Sequence, residues 1–247
     1  MAGHDISQQA LVGGYIVLGL ALMATLGLAG LLLARWLGRR TVVAQLLAVL
    51  VIGTLSFQGV HFFEHLSQIG YWFLHPTYPP WMTPWGRAAA DGLGALLAGH
   101  HATMATGMEL LHLVGNWITF VGLIAMYVTL RSWRMWGPKM RATWFAFWLQ
   151  LVHVLEHASL TSTYLLIGRP IGMSTLLGAS FYLDDAWASS IRLWWHFLIN
   201  LAVTGAFVLA VREFYRARLL TPQRRRTLTK YRRHRNARLD PTRRSAT

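Results

Sequence analysis

The chain has 247 residues, of which 54% are hydrophobic and 13% charged, with 12 Trp and no Cys. Its mean hydropathy is +0.38, a balance that belongs to a membrane protein and excludes an ordinary soluble domain. The formal charge of +14 is no sign of nucleic acid: 13 of the 23 Lys and Arg lie between Arg212 and Arg244 beside only Glu213 and Asp240, so that segment alone carries +11 and no basic face for DNA or RNA is left elsewhere.

Apolar runs at roughly 11–34, 41–66, 108–130, 142–167 and 191–211 each approach the ~20 residues that cross ~30 Å of hydrocarbon as a helix. They predict an all-α, polytopic integral membrane bundle of five transmembrane helices. The first, within residues 1–40, reads as an uncleaved anchor: no Lys or Arg precedes it, and Arg35, Arg39 and Arg40 follow. The second and third spans are joined by a long segment, 67–107, holding Pro76, Pro79, Pro80 and Pro84 among Tyr71, Trp72, Tyr78, Trp81 and Trp85. Prolines and interfacial aromatics predict a structured cap there in place of one continuous helix. His75, His100 and His101 fall in it.

Arg35, Arg39 and Arg40, then Arg131, Arg134, Lys139 and Arg141, and finally the basic tail share one side; the other holds Arg87, Arg169 and Arg192. The positive-inside rule predicts a multi-pass protein of the cytoplasmic membrane, N-terminus outside and C-terminus in the cytoplasm. From Thr221 onward the tail is too polar to bury a core. Its expected partners are anionic lipid headgroups, not nucleic acid.

An internal repeat carries the polar residues. Gln58, His61, Glu64 and His65 form Q-x-x-H-x-x-E-H in the second span, and Gln150, His153, Glu156 and His157 repeat it 92 residues later in the fourth. His112 and Asn116 in the third span match His196 and Asn200 in the fifth, at an offset of 84. The predicted organisation is an anchor helix (1–40), two repeat units (41–131 and 132–215) and a basic cytoplasmic tail (216–247). Each unit has an even number of spans, so the two copies are expected to run parallel about a pseudo-twofold axis along the membrane normal. At 100° per residue each Q-x-x-H-x-x-E-H set falls within an arc of about 120°. Glu109, His112 and Asn116 share one face as well.

Ionisable groups inside a membrane are costly and mark functional sites. Imidazole and carboxylate together suit iron, copper or zinc, and His residues four apart can chelate one ion from a single helix. The expected metal ligands are His61, Glu64, His65, Glu109, His112, His153, Glu156, His157 and His196, oriented by hydrogen bonds from Gln58, Asn116, Gln150 and Asn200. Glu109-x-x-His112 matches the Glu-x-x-His element of ferritin-like di-iron bundles, whereas its counterpart is Leu193-x-x-His196. The function expected is a metal-binding membrane protein, an oxidoreductase or a subunit of a redox or metal-handling membrane complex. Two alternatives use the same residues: b-type haem held by His61, His65, His153 and His157, and transport of protons or divalent cations.

Overall fold

The computed structural model describes residues 7–76, 81–98, 103–132, 140–177 and 185–217. Tyr78, Pro79, Pro80, His100, His101, Arg134, Lys139 and the tail from Thr221 lie outside them. The regular elements among the described residues are seven helices and no strand: α1 (Gln8–Trp36), α2 (Arg40–Leu74), α3 (Pro84–Ala98), α4 (Met104–Ser132), α5 (Arg141–Ile167), α6 (Met173–Leu177) and α7 (Asp185–Arg216). Four of them, α1, α2, α4 and α7, are long and apolar enough to cross a membrane. The 27-residue α5 is not, because Gln150, His153, Glu156, His157 and the Ser and Thr residues at 159 and 161–163 dilute its hydropathy.

Two predicted boundaries move. Helix α2 continues past residue 66 to Leu74, since the polar residues that end its apolar run do not break a helix; Pro76 does, and His75 before it leaves the helical region. The cap contains a helix of its own: Thr83 accepts from the Gly86 amide (3.2 Å) as N-cap and Pro84 occupies the first helical position. The glycines at positive φ, Gly38 (69°) between α1 and α2 and Gly168 (71°) capping α5, turn the chain where a Cβ would be strained.

Helices α2, α4, α5 and α7 form a closed ring in which each packs on the next, with α2 and α5 diagonal to one another and α4 and α7 likewise. Ring neighbours are antiparallel: Gln58 and Trp72 of α2 reach Thr204 and Ser190 of α7, and Gln150 and Thr161 of α5 reach Asn116 and Glu109 of α4. Helices on a diagonal therefore run the same way. Outside the ring, α1 packs on α3, α4 and α2, while α6 rests on α7.

The bundle is layered along its axis. At one end Leu47, Val51, Leu123, Met126, Leu130, Ala146, Phe207 and Phe214 form the apolar core. Beyond it lies an amide and hydroxyl belt, where Gln58 donates to Asn200 (3.2 Å) and Thr204 (3.0 Å) and accepts from Thr119 (2.8 Å). On the other side of the ring Gln150 donates to the side chain and backbone oxygens of Asn116, both at 3.0 Å. The histidines come next.

Candidate metal centre

Six imidazoles, two each from α2 and α5 and one each from α4 and α7, meet in one layer, with the centroids of neighbouring rings 4.8–6.5 Å apart. The i, i+4 spacing places His61 and His65 on one face of α2 with Nε2 atoms 3.1 Å apart, and His153 and His157 on one face of α5 with Nε2 atoms 3.2 Å apart. Both separations are hydrogen-bond distances, with donor and acceptor set by the tautomers of the two rings. Ligand nitrogens of His61, His65 and His112 all lie within 4.8 Å of one another.

His112 and His196 are oriented differently. Their Nδ1 atoms lie 2.7 Å from the carbonyl oxygens of Met108 and Arg192. A carbonyl only accepts, so each Nδ1 is the protonated, donating nitrogen and each Nε2 carries a lone pair. A backbone carbonyl on the far nitrogen is the usual companion of a metal-ligating histidine. Five buried ring nitrogens have no hydrogen-bond partner: Nδ1 of His61, His65, His153 and His157, and Nε2 of His196. Such groups are costly to leave unpaired.

The carboxylates of Glu64 and Glu156, expected as ligands, are hydrogen-bonded at helix starts. Glu64, 4% exposed, accepts from the Thr83 amide (2.9 Å) and the Thr83 hydroxyl at the start of α3. Glu156, 2% exposed, accepts from the amides of Met173 and Ser174 and from the Ser174 hydroxyl (2.6 Å) at the start of α6. Free N–H groups at a helix start and the positive end of its dipole favour a carboxylate there. Glycines make room: a Cβ on Gly86 would lie 3.0 Å from the Glu64 carboxylate, and one on Gly172 would lie 2.7 Å from that of Glu156. Glu213 caps α5 in the same way, accepting from the Ala142 (3.1 Å) and Thr143 (3.2 Å) amides.

Glu109 pairs with Arg192 at 2.7 Å across the ring, which accounts for Leu193 standing where a symmetric unit would have a second glutamate. Sequence reasoning treated Arg192 only as a loop charge; a contact spanning 83 residues leaves no local signal. The hydrogen bonds of Gln58, Asn116, Gln150 and Asn200 run to one another, to Thr119 and Thr204 and to the backbone. Asn116 and Asn200 donate to the carbonyls of His112 and His196 (2.9 Å each). They fix the helices that carry the imidazoles.

A cavity of about 170 Å³ reaches the cluster, with His65, His112, His157 and His196 in its wall together with Glu109 and Arg192. Neither curated proteins nor solved structures give a match to this chain. Residues 1–242 do match a family model, and the chain belongs to that family, DUF6008, a family of unknown function.

Proposed function

We propose that the chain is an integral protein of the cytoplasmic membrane that holds metal through His61, His65, His112, His153, His157 and His196. One observation carries the reading: the Nε2 separations of 3.1 and 3.2 Å in the two i, i+4 pairs. Two nitrogens bound to one ion at about 2.0–2.1 Å lie roughly 2.9–3.4 Å apart in tetrahedral or octahedral geometry, so either pair accepts an ion in place of the hydrogen bond between its nitrogens. The Nε2 lone pairs of His112 and His196 supply further ligands from the neighbouring helices. An all-imidazole set favours copper or zinc over iron. Glu64, Glu109 and Glu156 then act as positioning groups.

In this reading α5 is the fifth span, since its 27 residues extend about 40 Å and it lies in the ring between two apolar helices. The pairs α2–α4 and α5–α7 are two parallel copies of one unit. The basic loops and tail face the cytoplasm, the tail against anionic lipid headgroups, and the histidine layer lies in the outer half of the bilayer. The chain serves as an oxidoreductase or as a subunit of a redox or metal-handling membrane complex. Haem fits the geometry less well: the rings pack against one another, and a cavity of about 170 Å³ is smaller than the roughly 300 Å³ at which sites for larger ligands begin. Transport is disfavoured by the apolar core, which closes the bundle beyond the amide belt.

X-ray absorption at the metal edge of the purified protein tests the ligand set. The expected spectrum has a shell of nitrogen at about 2.0 Å with imidazole scattering; a shell dominated by carboxylate oxygen would refute the assignment.

A further inference from the structure

The metal reading raises a question of charge. Imidazole ligates in its neutral form, and all four glutamates already have partners: Glu64, Glu156 and Glu213 at helix starts and Glu109, in the wall of the cavity, on Arg192. A divalent ion among the six rings would be an unbalanced charge in a low-dielectric interior, which is costly unless an anion accompanies it. Each of these carboxylates is already held by a helix start or by Arg192, and beside the rings there is space for a further anion. The cavity beside the rings, about 170 Å³, is comparable to the ~150 Å³ void that holds benzene, ample for an ion of a few atoms. Its wall includes His196, a residue only 8% exposed whose buried Nε2 has no hydrogen-bond partner. Arg192 stands in the same wall, donating from Nη2 to Glu109 while its Nε is buried with no partner.

We infer that this cavity is an exchangeable anion site, in which a small inorganic anion ligates the imidazole-held metal and accepts a hydrogen bond from Arg192. Hydroxide fills the role at rest and other small anions displace it. Glu109 holds the guanidinium in place and partly offsets its charge, which sets the affinity. This inference rests on the metal reading, and the experiment separates the two. The full chain, purified in detergent and loaded with Cu(II), is titrated with azide while the azide-to-copper absorption band is recorded, and copper per chain is measured on the same samples. The expected result is a saturable band, with affinity about tenfold weaker in Arg192→Met and about tenfold tighter in Glu109→Gln, at unchanged copper content. Because the two variants shift affinity in opposite directions, misfolding cannot imitate the pattern. A copper-loaded protein that gives no band, or an affinity that Arg192→Met leaves unchanged, would overturn the anion site alone. A chain that takes up no copper would overturn the metal reading with it.

Discussion

His112 and His196 each have one nitrogen committed to a carbonyl one turn back and the other aimed into a layer of like rings. Replacing His196 by Ala is expected to remove at least half of the bound metal, with the fold retained because Asn200 holds the His196 backbone carbonyl and not its ring; undiminished metal in the variant would remove His196 from the ligand set. The glutamates give the opposite expectation. Glu64→Gln with Glu156→Gln should keep the metal yet lower stability by about 1.5–3 kcal/mol per site, the usual worth of hydrogen bonds to a charged group, read from thermal unfolding in detergent. Loss of metal at unchanged stability would restore the carboxylates as ligands. The repeated stripe made the histidines legible, because i, i+4 spacing on a helix leaves few arrangements. It left the hydrogen-bond partners of the glutamates unread for a physical reason: a 120° arc spans two neighbouring elements, and Glu64 lies at its edge, where the start of α3 presents free N–H groups.

At the scale of elements, the cap helix α3 is fastened by close backbone approach. A Cβ on Gly92 of α3 would lie 1.9 Å from the Ala10 carbonyl oxygen of α1, and one on Gly107 of α4 would lie 2.1 Å from that of Ala90 in α3. Small residues that bring helices together are a main means of association in membranes. Gly92→Ala is therefore expected to detach α1 from α3 and to speed proteolysis between residues 67 and 107. Gly19→Ala, in the same α1 with nothing within 4 Å, should instead be neutral or stabilise by about 0.5–1 kcal/mol. Equal sensitivity of the two variants would contradict this packing account. The helical cap was partly legible: prolines and aromatics announced structure, and Thr83-Pro84 is a helix start in sequence terms. The docking of α3 on α1 was not, because glycine spacing does not identify its partner helix.

The whole molecule sorts its residues by depth, from apolar core to amide belt, imidazole layer and capped outer helices. The absence of Cys makes orientation directly testable. Ala2→Cys should react with a membrane-impermeant maleimide in intact cells, whereas Ser245→Cys should react only after permeabilisation; the reverse pattern would invert the proposed topology. Four of the apolar runs were readable as helices long and apolar enough to cross a membrane, because bilayer thickness acts on length and composition. The ring order was not, since it depends on contacts such as Gln58 with Asn200, 142 residues apart. Metal retention is the central claim, and plasma mass spectrometry of freshly purified protein, prepared without chelator, tests it most directly. The account predicts about one to two atoms of copper or zinc per chain, falling close to zero when His61, His65, His153 and His157 are replaced together by Ala. A native protein with no stoichiometric metal, or a quadruple variant that keeps it, would contradict the account.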